Sequence, residues 1–197
     1  MKAENSLKKV GSMIVSHEFI GNRLVFSISR ESEDESQIQG FGESGRFMYR
    51  YADDTPFPNV HPDRLALVAI MNTIPFAGRR IKIDWPVSER FLNVSNTLIS
   101  RIEISSVSTN KNHIDRPISG RFALSFSGGA DSVAALSAMP LSTEPVFMLR
   151  AKKSLHRSLY KSEAAEESCK MLRNLGYRVH VIESDFEYLR KPVGFPT

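Results

Sequence analysis

Two alternating apolar runs, Ser12 to Ser16 and Arg23 to Ser29, flank Gly21 and Asn22, a pattern that predicts a β-hairpin. Glu31 to Gln39 is acidic and polar without a hydrophobic period, and predicts an exposed connection. Phe47 to Tyr51 is a further strand. Pro62 and Asp63 open a helix that runs from about Asp63 to Ile74 and stops before Pro75; being apolar nearly all round, it is expected to be buried. Arg80 to Asp84 alternates as a strand does. Ser88 is placed to cap a helix that carries Phe91, Val94 or Ser95, and Leu98 on one face, and Arg101 to Val107 alternates again. The polar stretch Ser108 to Pro117 is the expected boundary between a small mixed α/β domain, 1–115, and a second domain, 116–197.

Beyond that boundary the pattern changes. Arg121 to Phe126 is a short apolar run, Asp131 to Met139 a helix stopped by Pro140, and Pro145 to Leu149 a near-continuous apolar run of the kind buried on both faces of a parallel sheet. Tyr160 to Leu175 sets Ala165, Cys169, Leu172 and Leu175 on one helical stripe; Gly176 supplies a left-handed stop, and Arg178 to Ile182 forms a third strand. The order β-α-β-α-β implies a parallel sheet with right-handed crossovers, so the fold class is α/β.

Composition adds limits. The chain carries 26 Lys and Arg against 22 Asp and Glu, a formal charge of +4, which admits an anionic partner without choosing one. Leu65 to Ala77 is broken by Asn72, Thr73 and Pro75 and falls short of a membrane span, and Met1 to Val10 has no apolar signal core. A cytoplasmic protein with no membrane partner is expected. The single cysteine, Cys169, excludes an internal disulfide and any Cys-x-x-Cys motif, and the five histidines lack zinc spacing, so no zinc is expected. Cys169, on an apolar stripe, reads as a core thiol and not a nucleophile. Gly40 to Gly45 matches a dinucleotide fingerprint in letters, but the polar run before it and the strand after it are the wrong context, and it reads as a loop.

The chemistry lies between the first strand of the second half and its helix, in Ser127-Gly128-Gly129-Ala130-Asp131-Ser132. Ligands of open parallel sheets sit at the carboxyl ends of the strands, where a loop entering a helix offers unpaired amides and the positive end of the helix dipole. Gly128 and Gly129 are expected to let the backbone curl with positive φ and bring amides close to phosphate oxygens. Ser127 and Ser132 add hydroxyls. Asp131 would be repelled by bare phosphate, which points to a magnesium ion shared between carboxylate and phosphates. Past the second strand, Arg150, Lys152, Lys153, His156, Arg157 and Lys161 form a basic cluster, with Arg150 and Lys153 the preferred contacts for a substrate anion. Nucleic acid is the less favoured occupant, because only Tyr160 interleaves these charges.

Ser-Gly-Gly-x-Asp-Ser after a strand resembles the pyrophosphate loop of the N-type ATP pyrophosphatases (PP-loop proteins), which include asparagine, GMP and NAD synthetases, tRNA lysidine synthetase and 7-cyano-7-deazaguanine synthase. The resemblance covers about Arg121 to Ile182, and it is nearest to 7-cyano-7-deazaguanine synthase-like proteins with an N-terminal extension. It implies an ATP-dependent enzyme that splits ATP into AMP and pyrophosphate. Such an enzyme adenylates a carboxylate or carbonyl oxygen of a small-molecule acceptor so that a nitrogen nucleophile displaces AMP. It implies that the amides of Gly128, Gly129 and Ala130 hold pyrophosphate with Ser127 and Ser132, that Asp131 and Ser132 serve catalysis, and that Asp131 places magnesium. Adenine would lie against the main chain of Met148, Leu149 and Arg150.

The chain departs from the family in two respects. The zinc-binding cysteine cluster of the synthase is absent, and about 115 residues precede the loop instead of a few. A family sheet has five parallel strands with the first in the middle, yet only three precede Thr197. A truncated sequence is therefore expected, unless a strand from the front half covers the first strand. Two other readings stand beside the enzyme: a non-catalytic nucleotide-binding module serving a partner protein or an oligomer, and a nucleic-acid-modifying PP-loop enzyme.

Overall fold

The computed structural model describes residues 10–30, 45–52, 60–110, 122–150 and 162–189. The acidic stretch Glu31 to Gln39, most of the glycine-rich stretch at 40–45, the boundary segment 111–121 and the basic residues Lys152, Lys153, His156, Arg157 and Lys161 lie outside them.

The hairpin joins β1 (Val10–Ile20) to β2 (Arg23–Arg30), with Ile20 opposite Arg23. Gly21 takes φ +59°, the left-handed geometry that the tightest hairpin turns require. On β2 the alternation is followed strictly: Leu24, Phe26 and Ile28 are buried while the residues between them are not. The remaining elements of the first half are β3 (Arg46–Tyr51), α1 (Pro62–Thr73), β4 (Ala77–Ile83), β5 (Val87–Ser88), α2 (Glu89–Leu98), β6 (Glu103–Ser106) and β7 (Thr109–Asn110). The second half supplies β8 (Ala123–Phe126), α3 (Ala130–Ala138), β9 (Glu144–Arg150), α4 (Ser162–Asn174), β10 (His180–Ser184) and a 3-10 turn, η1 (Phe186–Leu189).

The protein is α/β with a mixed sheet of eight strands in the order β6-β4-β1-β2-β3-β10-β9-β8, and β5 and β7 pair separately. β8, β9 and β10 are parallel, as the strand-helix-strand order predicts. The two halves share the sheet through antiparallel pairing of β10 with β3. This seam is well tied. Asp185 Oδ1 accepts from the Met48 amide at 2.7 Å, Ser184 Oγ donates to the Met48 carbonyl at 2.7 Å, and Arg50 Nε donates to Glu183 Oε2 at 2.6 Å. Among the described residues no front-half strand covers the first strand: the front sheet continues from the third strand, β10, and β8 is the last described strand of the sheet.

Two hydrophobic cores lie on opposite faces. The first gathers Met13, Val15, Phe26, Phe47, Ile81 and Ile83 under α1, and η1 adds Leu189 to it. The second gathers Phe126 and Phe147 under Leu136 of α3 and Ala165, Cys169 and Leu172 of α4. Their opposition follows from register: Tyr49, packed on the first core, is opposite Ser184, whereas Phe147 of the second core is opposite Val181, one residue out of phase.

Four sequence expectations need correction. Helix α1 is buried on one face only, with Leu65, Ala66, Ala69 and Ile70 inward and Leu67 and Met71 exposed, because a helix lying on a sheet has just one side to bury. In α2 the inward residues are Phe91, Leu92 and Ser95, and Leu98 is 78% exposed. The cause is Asn96, whose amide bonds both main-chain groups of Ile104, at 2.8 and 2.7 Å, and so fixes the helix rotation. Strand β9 is not buried on both faces: Pro145 and Phe147 are buried, Phe147 under α3 and α4, while Met148 is 44% exposed on the face over which no described α-helix lies. Leu175 leaves the α4 stripe and is 70% exposed. Gly176, at φ +89°, ends that helix in a Schellman turn, with the Tyr177 amide bonded to the Leu172 carbonyl at 3.0 Å, and Tyr177 packs on the core instead.

Candidate functional site

The Ser127–Ser132 loop stands at the carboxyl end of β8, and its residues are exposed except for half-buried Ser132. Gly128 takes φ +80°, a conformation that favours glycine, and turns the chain from strand into helix, whereas Gly129, expected to share a positive φ, is extended at φ −80° because it serves as the N-cap of α3. A Cβ there would stand 3.4 Å from Ser168 Oγ of α4, so the loop also passes close beneath that helix. The sequence reading missed Ser168. Its signal was a hydroxyl beside the apolar stripe formed by Ala165, Cys169 and Leu172.

The loop is organised by its own hydroxyls. Ser127 Oγ donates to Ser132 Oγ at 3.2 Å and accepts from the Gly129 amide at 3.3 Å, and Ser132 Oγ donates to the Gly129 carbonyl at 2.9 Å. The two hydroxyls are thus bonded inside the loop and would reorient to meet an anion. Gly129 is the N-cap of α3 and provides no side-chain cap; the first amide satisfied within the helix is that of Val133, bonded to the Gly129 carbonyl at 3.1 Å. Neither Asp131 nor Ser132 caps the helix. The amides of Gly128, Ala130, Asp131 and Ser132 find no acceptor among the described residues. They leave a solvent-facing set of donors at the positive end of a helix dipole, which is the physical requirement for holding a phosphate.

Asp131, in the first turn of α3, is an exposed carboxylate without a described ion-pair partner. Among the described residues no three His, Cys, Asp or Glu side chains cluster as a metal site would require. A magnesium ion here would have one protein carboxylate and would draw its other ligands from phosphate oxygens and water, a donor set that suits this cation.

β9 pairs with β8 only as far as Phe126 opposite Phe147, so Met148, Leu149 and Arg150 run on past the end of β8, alongside the loop. Main chain at these three positions therefore borders the loop. The Arg150 side chain is engaged with Glu187 of η1, Nε to Oε1 2.9 Å, in a half-exposed pair that no local pattern foretells. Lys153 lies outside the described residues. Cys169 is 2% exposed, and burial pushes its thiol above the ordinary value, with Arg173 opposing in part; it stays protonated at neutral pH. Gly45, with φ +54°, leads into strand β3 and not into a helix, so the glycine-rich stretch it closes lacks the helix N-terminus that a dinucleotide site needs.

Among the described residues no helix is long and apolar enough to cross a membrane. Comparison of the chain with protein-family models, with curated proteins and with solved structures returned no match.

Proposed function

We propose that the second half of the chain is a PP-loop ATP-binding domain of the N-type ATP pyrophosphatase kind, and that Ser127–Ser132 cradles the phosphate tail of ATP. The observation that carries this reading is the exposed, uncapped turn at Gly128–Gly129, with four amides free of described acceptors at the carboxyl end of a parallel strand. A helix start capped by glycine forgoes only a few tenths of a kcal/mol relative to a Ser, Thr, Asp or Asn cap, and an anion bound at the same amides contributes about 0.3–1 kcal/mol.

In this reading the amides of Gly128, Ala130, Asp131 and Ser132 bind and orient the β- and γ-phosphates, joined by the Gly129 amide when Ser127 Oγ turns away from it. Ser132 contributes its hydroxyl, and Asp131 holds magnesium, which supplies charge neutralisation to the phosphates. The main chain of Met148 to Arg150 receives adenine. The reaction is adenylation: an acceptor carboxylate or carbonyl oxygen attacks the α-phosphorus, the bond to the bridging oxygen breaks, and pyrophosphate leaves with the pair of electrons. The loop stabilises that developing charge by fixed dipoles, and no general base is required of it.

A second reading is a nucleotide-binding module without turnover. It is favoured by the engagement of Arg150, at the end of β9, with Glu187. Release of AMP and pyrophosphate from Mg·ATP in the presence of candidate carboxylate acceptors tests both. Turnover abolished by Asp131→Ala supports the enzyme, and saturable ATP binding without turnover supports the module. Absence of any Mg·ATP binding by the folded chain overturns both.

A further inference from the structure

A second site lies on the side of α4 away from Ser168; of Met148, Leu149 and Arg150, which border the loop, only Leu149 lines it. A cavity of about 580 Å³ opens between this helix and the sheet, within the size range of small-molecule sites. Its floor is apolar, formed by Phe147 and Leu149 of β9 and Val179 and Val181 at β10, and exposed Ala52, just past β3, also lines it. Two α4 side chains with opposite charges, Glu166 and Arg173, line the helix side. Neither forms an ion pair with a described residue, and the Arg173 guanidinium makes only a 3.5 Å contact with the Val179 carbonyl. Seven residues apart, they stand about 10 Å from one another along the helix axis.

Ser168 faces the phosphate loop, whereas Glu166 and Arg173 fall roughly 140–160° round the helix from it, so the cavity and the loop are separated by the body of α4. An acid bound in the cavity is therefore not the acceptor at an α-phosphate held by the loop.

We propose that this cavity binds an amphiphilic organic monoacid: a flat apolar body against Leu149 and Val181, a carboxylate on Arg173 and an N–H donor toward Glu166. Charge complementarity fixes the polarity of the ligand. A carboxylate gains paired hydrogen bonds only at the guanidinium end and meets repulsion at the other. A dianion, or an acid with its charge in mid-chain, fits worse.

Indole-3-butyrate is a suitable probe, having an aromatic body, a terminal carboxylate and a ring N–H at the opposite end. Titration followed by amide chemical shifts should give saturable binding, with the shifts centred on Val179, Val181 and Arg173. Arg173→Gln, at an exposed helix position, should weaken binding by about tenfold or more, the loss of a charge-assisted pair. Ala52→Trp, also at an exposed position, should obstruct the cavity and abolish binding. The neutral analogue 3-butylindole should bind no better than the probe binds to Arg173→Gln. Mg·ATP binding, read separately, should be unchanged in both variants, so the two sites stand or fall apart. No saturable binding below about 5 mM, equal binding of the neutral analogue, indifference to both substitutions, or shifts centred elsewhere would each overturn the proposal.

Discussion

Alanine at Gly128 and at Gly129 should have opposite consequences, although the two glycines are adjacent. Gly128 holds φ +80°, where an L side chain costs about 1–2 kcal/mol. Alanine also restricts the unfolded chain, returning about 0.4–1 kcal/mol. The net destabilisation of Gly128→Ala is therefore about 0.8 kcal/mol at the middle of these ranges and about 1.6 kcal/mol at most, and the new Cβ, 3.4 Å from Ser168 Oγ, needs only a small adjustment of that side chain. Gly129 has φ −80° and ψ 166°, open to any residue, and a Cβ there would meet only Ser127 Oγ at 3.5 Å. Its alanine variant loses some N-cap preference and gains a similar amount from the unfolded chain, so its stability should be nearly unchanged. Urea unfolding at constant m-value measures both, and the melting temperature of Gly128→Ala should fall by about 1–6 °C. Because relief of the left-handed turn would re-aim the amides, Gly128→Ala should also weaken Mg·ATP at least tenfold. Gly128→Ala as stable as the parent chain, or Gly129→Ala the more damaging of the two, would refute the conformational argument.

Asp185→Ala should cost about 1–3 kcal/mol, because it leaves the Met48 amide of the β3–β10 seam without its 2.7 Å acceptor, and hydrogen exchange should rise first along that seam. Ser88→Ala removes the acceptor of the Phe91 amide at 3.0 Å and the donor to Asp63 Oδ2 at 2.6 Å that ties the starts of α1 and α2 together; a loss of about 1–2 kcal/mol in denaturant titration is expected. Burial against Trp85 and Phe26 lowers the His17 pKa from 6.5, so the unfolded chain takes up that proton first. The contribution of neutral His17 is therefore full above pH 6.5 and is lost as pH falls from there toward the lowered folded value. His17→Phe should flatten the stability profile between about pH 5 and 7, and an unchanged slope would contradict this assignment. For the buried Cys169 thiol the sign is reversed. Its raised pKa means that stability falls as pH rises above the ordinary value of 9.0, and native alkylation should be far slower than that of an unfolded thiol.

The elements themselves were legible because their signals are local. Gly21 and Asn22 set the hairpin, Ser88 does accept the Phe91 amide, Gly176 does take a positive φ, and Ser127–Ser132 does link a strand to a helix. Strand-helix alternation likewise sufficed for three parallel strands. What escaped was set by partners distant in the chain. That β10 rather than β8 meets the front sheet depends on Asp185, Ser184 and Glu183 finding Met48 and Arg50 more than 130 residues away, and no periodicity records such a pairing. The rotation of α2 depends on one amide, Asn96, meeting the main chain of Ile104, and the exposed side of β9 depends on both crossover helices lying on the same face. Hydrophobic pattern shows which residues want burial, whereas the side of a sheet on which that burial is available is decided only when the strands are assembled.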